Sequence, residues 1–132
     1  MEQLTIAPIL IALCIAIQIP VTLAVGLRRL ATGVNFGWGD DNNLMKKVRG
    51  HGNFTETVPI TLLAITVAEY LGMAQAWIIA AAIAIVAGRL VHYHTLVFTP
   101  SGATNGRAVG MILTFSAMII PSIFLLYRAF VG

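Results

Sequence analysis

The chain has 132 residues, 58% of them hydrophobic and only 10% charged, whereas a soluble domain carries about 25% charged residues. That balance excludes an ordinary soluble fold and points to one integral membrane domain, residues 1–132, with room for about four spans of roughly 20 residues. The formal charge of +3 forms no basic stripe, which argues against nucleic acid as a partner, and the lone Cys14 rules out an intrachain disulfide framework and a multi-cysteine metal site.

The first predicted span covers about residues 4–27, with Pro8, Gln18 and Pro20 inside it. Prolines are tolerated in membrane helices because neighbouring groups re-satisfy the freed backbone. Glu2 is the only early charge, so the basic stretch of a cleavable signal is missing. Arg28 and Arg29 follow the span. Ala31 to Asn43, ATGVNFGWGDDNN, is rich in Gly, Asn and Asp and reads as an irregular loop. Its GxG is no nucleotide fingerprint, because no strand precedes it. The second span is expected over about 53–71, on a helix that starts upstream near Asn43. The third covers about 75–98 and contains Arg89, and the fourth about 108–131 with Pro121. TPSGATNG, Thr99 to Gly106, is the polar turn between them.

Arg28, Arg29, Lys46, Lys47 and Arg49 fall between the first two spans, and Arg107 falls between the last two. The GMAQ connection has no basic residue, and only Arg128 lies near the C-terminal end. The positive-inside rule therefore places both Arg-bearing loops in the cytoplasm and both termini outside.

Three groups of polar residues need explaining. On a helix, Arg49, Asn53 and Glu56 share one face, within about 60° of arc. The bland reading is an interfacial Arg49–Glu56 ion pair; the other is a functional stripe at membrane depth. Arg89 lies about 13 Å from the cytoplasmic end of its span, so it calls for a partner or a wet cavity. His92 and Tyr93, at offsets of three and four, share its face. The bland reading pairs Arg89 with Glu56 or Glu69 as helix glue. His92 and His94 point about 160° apart and make poor co-ligands, so no metal site is expected. Haem ligation by His51 with a histidine of the third span is weaker than ordinary hydrogen bonding. Trp38 and Trp77 read as interfacial anchors, with Tyr70, Tyr127 and Phe130 as an outer aromatic belt. Arg107 opens the fourth span in GRAVGMILT, where Gly106 and Gly110 permit close backbone approach. A cation beside the free N–H groups of a helix N-terminus stabilises anions, a thiolate among them.

The run RGHGNFTETVPITLLAITVAEY, with GRLVHYH and RAVGMILT, resembles the MAPEG family, the membrane-associated proteins of eicosanoid and glutathione metabolism, and most of all its bacterial branch. The resemblance spans essentially the whole chain. It implies an all-α, four-helix protomer assembling as a homotrimer in the bacterial inner membrane. Its sites would lie between protomers near the cytoplasmic surface, with glutathione as the thiol co-substrate. Carried over by position, Arg49 resembles the arginine that pairs with a glutathione carboxylate. Asn53 and Glu56 resemble the residues that hold the peptide, with Glu56 taking its amino group. Arg28 and Arg29 resemble the basic pair ending the first helix, and Arg89 and His92 match the third-helix pattern R-x-x-H. Arg107 resembles the arginine beside the sulfur. Two departures stand out: Leu96 replaces a tyrosine common in the family, with Tyr93 as an imperfect substitute, and Thr57 follows the glutamate where some members have tyrosine.

The implied activity is that of a microsomal-type glutathione S-transferase or peroxidase, with lipid and a hydrophobic small molecule as partners. It would conjugate glutathione to apolar electrophiles or reduce lipid hydroperoxides. A thiol with pKa about 8.5 needs a nearby cation to become the reactive thiolate at neutral pH. Arg107, always protonated, can serve as that cation but not as a base. The alternatives are a non-enzymatic scaffold or lipid-binding module of the same fold, and a small transporter titrating through Glu56.

Overall fold

The computed structural model describes residues 4–100 and 104–131. They form four antiparallel helices: α1 (Ile6–Thr32), α2 (Asn42–Tyr70), α3 (Gln75–Phe98) and α4 (Thr104–Val131). All but α3 run beyond the predicted spans at the end that carries the basic loops, called here the polar end. The expected irregular stretch is correspondingly shorter. Ala31 and Thr32 complete α1, and Gly33 closes it in the left-handed conformation (φ 70°), its N–H donating to the Arg29 carbonyl at 2.9 Å. Residues 101–103 of the predicted polar turn lie outside the described residues.

α1, α3 and α4 are each long and apolar enough to cross a membrane. α2 carries Lys46, Lys47, Arg49, Glu56 and Glu69 and is markedly more polar. α2 and α3 each pack against all three other helices, whereas the backbones of α1 and α4 do not come close among the described residues. Ile65 of α2, Ile78 and Ile85 of α3 and Ala117 of α4 meet in the core. Outward positions such as Leu23, Ile83, Phe115 and Ile119 are exposed and apolar, as a lipid-facing surface requires. The chain is thus an integral membrane helical bundle. Several hydroxyls along the helices return to the carbonyl one turn back, as Thr61 does to Thr57 at 2.7 Å and Thr66 to Leu62 at 2.8 Å, which pairs those hydrogens within the helix.

The end opposite the polar one is held by Glu69. Its carboxylate, 9% exposed, accepts the backbone N–H groups of Thr5 (3.0 Å), Ile6 (2.7 Å) and Ala7 (2.8 Å) and the Thr5 hydroxyl (3.1 Å). Helix N-termini leave such donors unsatisfied, and a negative charge there also suits the helix dipole. α1 has no side-chain cap of its own, so the last turn of α2 supplies it.

α3 and α4 meet along a seam of glycines. A Cβ on Gly88 would lie 2.9 Å from the Gly110 carbonyl oxygen, and one on Gly110 would lie 2.7 Å from the His92 Cβ and 2.8 Å from the Gly88 carbonyl oxygen. A Cβ on Gly106 would collide with the Thr95 hydroxyl. Only hydrogen fits at these positions, and small residues of this kind let membrane helices approach backbone to backbone. Gly110→Ala should therefore destabilise the bundle by about 1–3 kcal/mol, the usual cost of overpacking. Gly26→Ala, where nothing lies within 4 Å, should leave the unfolding temperature in detergent unchanged or slightly higher. Equal behaviour of the two variants would show that the seam is not close-packed.

Candidate functional site

The polar end is organised by where its cations find acceptors. Asp41 caps α2 by accepting the Leu44 N–H at 2.8 Å. Its other carboxylate oxygen pairs with the Arg28 guanidinium at 2.7 Å. Arg29 donates to the carbonyls of Val34 (3.2 Å) and Asn35 (2.9 Å) and so folds the loop back on the end of α1. Lys46 donates to the carbonyls of Thr99 (2.7 Å) and Pro100 (3.2 Å), tying the start of α2 to the end of α3. Arg28, Arg29 and Lys46 therefore each hold a connection in place within the protomer.

At the centre of this end lies Arg89, 3% exposed. One terminal nitrogen donates to the Asn53 carbonyl on α2 at 3.3 Å. The other reaches the Gly110 carbonyl and the Met111 sulfur on α4, both at 3.4 Å. These contacts are long, and Nε has no partner. The expectation that Arg89 pairs with Glu56 or Glu69 is corrected. Glu69 sits at the opposite end capping α1, and Glu56 is exposed without an ion pair among the described residues. The glycine seam explains the choice of partners, since it brings the α4 backbone close enough for a long side chain on α3 to reach a helical carbonyl. Two of those acceptors are shared, as Asn53 also receives the Thr57 hydroxyl at 2.7 Å and Gly110 the Thr114 hydroxyl at 2.8 Å.

The remaining candidates arrange themselves around this guanidinium. Arg49, Asn53 and Glu56 share a face of α2, and the Asn53 amide donates back to the Arg49 carbonyl at 2.9 Å. Arg49 and Glu56 are both exposed, so the simple Arg49–Glu56 pair does not form in the protomer. Arg107 is exposed in the first turn of α4, where backbone N–H groups have no intrahelical acceptor. The Nδ1 of His92 lies 3.4 Å from the Arg107 carbonyl, and its Nε2 is buried without a partner. Arg89 thus touches the backbone within about one turn of Arg49 on one side and of Arg107 on the other, and links the two walls. Tyr93 packs elsewhere: its ring covers Gly50, where a Cβ would sit 2.8 Å away, and meets Phe98 edge-on at 6.3 Å. Leu96 is buried, and Thr57 is occupied by the Asn53 carbonyl. Arg28 and Arg29, on a helix whose backbone does not come close to that of α4 among the described residues, are not brought beside Arg107.

The result is one end of a bundle with exposed cations on α2 and α4, a single exposed carboxylate between them in sequence, and a buried cation behind. Such an arrangement attracts an anion that also carries an amine, and it lowers the pKa of a thiol held near Arg107.

The sequence model of the MAPEG family matches residues 7–127. No curated protein and no solved structure matches the chain.

Asp41 lends this end a pH dependence. The Leu44 N–H bond first, and then the Arg28 guanidinium, hold its carboxyl below the ordinary carboxylate range despite some desolvation. A lowered pKa in the folded state contributes stability that is present above about pH 4 and is lost as pH falls through the folded value. Amides of residues 42–45 should therefore lose hydrogen-exchange protection below about pH 4 in the wild type. In Asp41→Asn, which keeps the cap but not the charge, that step should be absent. A step of the same size in both proteins would assign it to another group.

Proposed function

The chain belongs to the MAPEG family, and on that premise we propose that it is a glutathione-dependent membrane enzyme, a microsomal-type transferase or peroxidase. Glutathione binds at the polar end, which faces the cytoplasm of a bacterial inner membrane, with both termini outside. Arg49 takes a carboxylate, Glu56 the amino group, and Asn53 steadies the peptide between them. The sulfur lies near Arg107 in the first turn of α4. Held there, the thiolate adds to an apolar electrophile arriving sideways from the bilayer, or attacks a lipid hydroperoxide, breaking its O–O bond; the leaving alkoxide takes a proton from water, and a second glutathione reduces the sulfenic acid to the disulfide and water. Arg107 stabilises negative charge throughout and exchanges no proton. Binding energy from the remote carboxylate and amine contacts positions the sulfur. Arg28 and Arg29 are engaged by Asp41 and by the loop carbonyls of Val34 and Asn35, so neither is given a place in this site. The assembly that family membership suggests is a homotrimer with its sites between subunits.

One observation carries this reading: Arg89 is buried with no carboxylate beside it among the described residues. Replacing buried charge by apolar side chains is often neutral or stabilising, so its presence at the cationic end speaks for a task other than holding the fold. A fixed positive charge behind the exposed cations favours an anionic ligand and a thiolate over a thiol.

The test uses the purified protein in detergent. Bound glutathione should give the ultraviolet difference absorbance of a thiolate at neutral pH. Arg107→Ala should abolish that signal. Arg89→Met should lower it at least tenfold while leaving the unfolding temperature unchanged or higher. A wild-type protein that binds no glutathione at millimolar levels ends the proposal, and binding without turnover of any electrophile or hydroperoxide would favour a non-enzymatic scaffold.

A further inference from the structure

A second cationic feature of the polar end takes no part in the proposed glutathione site. Between α1 and α2 lies an open cleft of about 440 Å³, lined by Ala24, Leu27, Arg28, Ala31, Asn43 and Lys47. On α1 these positions are spaced by three, four and seven residues, and on α2 by four, so each helix turns one face to the cleft. Its α1 wall is apolar apart from Arg28, and the two alanines leave the groove open. Lys47 is half-buried and has no hydrogen bond or ion pair among the described residues. Arg28 is partly neutralised by Asp41, and so the cleft keeps a net positive charge at its polar end and hydrocarbon along its length.

We infer that this cleft binds one anionic phospholipid, its phosphate at the Lys47 ammonium beside Arg28 and an acyl chain along Leu27 and Ala24. The chemistry selects this occupant over the others. Basic pockets between membrane helices at a membrane surface hold anionic headgroups, and a juxtamembrane cation there has a sizeable effect on affinity. A soluble phosphate gains nothing from the apolar wall. A merely basic surface would not depend on the shape of the groove. The inference does not rest on the glutathione reading, because Lys47, Ala24 and Leu27 have no place in that site.

The experiment is native mass spectrometry of the full chain in detergent, incubated with phosphatidylglycerol or with phosphatidylcholine of the same acyl chains. The wild type should retain phosphatidylglycerol preferentially. Lys47→Gln should lower that retention about fivefold, the effect of one interfacial cation, and Lys47→Arg should keep it. Ala24→Leu, which fills the groove without altering charge, should also lose the lipid. Arg128→Gln, a cation removed at the far end, should not. The two loss variants should unfold at the wild-type temperature in a neutral detergent without lipid. Three results would overturn the inference. Lys47→Gln and Ala24→Leu could retain phosphatidylglycerol as the wild type does, which means a diffuse basic surface. Glycerophosphate could displace the lipid at equal concentration, which means a site for free anions. Lys47→Gln could keep the lipid and change only the oligomer distribution, which means the groove is covered by another copy.

Discussion

A guanidinium buried among three helices, with no carboxylate in reach among the described residues, is the constraint that the packing of the polar end has to accommodate. Moving an ion out of water costs several kcal/mol even after relaxation, and Arg89 recovers part of that from two helical carbonyls and a thioether at 3.3–3.4 Å. Those carbonyls belong to different helices, so the cost is tolerable only if α2, α3 and α4 converge at one height. The glycines at 88, 106 and 110 make that convergence possible, since side chains there would hold α4 away. Close packing and buried charge are therefore one arrangement: the seam puts the Gly110 carbonyl within reach, and the guanidinium bridges that carbonyl to Asn53.

The two ends of the bundle solve opposite electrostatic problems with the same element, a helix terminus. At the far end the N-terminus of α1 is met by the Glu69 carboxylate, which takes three backbone donors and a hydroxyl and leaves that terminus saturated. At the polar end the first turn of α4 has Arg107, a cation, where a helix dipole would prefer an anion. A cation at a helix N-terminus is unfavourable by itself, and an anion bound beside it offsets that cost. The contrast explains why chemistry is sought at one end and not the other, although both contain ionisable residues at membrane depth.

Much of this was legible in the sequence because it follows from spacing along one helix. The shared face of Arg49, Asn53 and Glu56, the depth of Arg89 and the permissive Gly106 and Gly110 are local properties. What spacing could not give was the partner. Glu69 acts on residues more than sixty positions away, and nothing in its neighbourhood points to the start of α1. Arg28 and Asp41 are separated by a loop whose path is set by Gly33 in the left-handed region and by Arg29 holding two loop carbonyls. The pairing of Arg89 with a glutamate failed for a related reason. Charge alone suggests a carboxylate partner, but reach is decided by helix register, and the register offers carbonyls. Tyr93 shares the face of Arg89 by spacing, yet its ring fills the space over Gly50.

The polar end holds more cations than any one ligand could use, and their partners sort them. Arg28, Arg29 and Lys46 are occupied in holding the loops, and Arg89 is enclosed. Arg49, Lys47 and Arg107 have no acceptor among the described residues, and they lie on different surfaces: Arg49 on the outward stripe of α2, Lys47 in the groove facing α1, and Arg107 on the first turn of α4. Repulsion among like charges does not draw them into one cluster. Each surface must instead be met by its own anionic group. The carboxylate and amine pattern around Arg49 and Glu56 fits a zwitterionic peptide, and the apolar wall beside Lys47 fits a lipid. A peptide that bridges Arg49 and Arg107 spans two helices already linked by Arg89. The same anion would therefore relieve the first turn of α4 and the buried guanidinium behind it, so binding and the stability of this end are thermodynamically coupled.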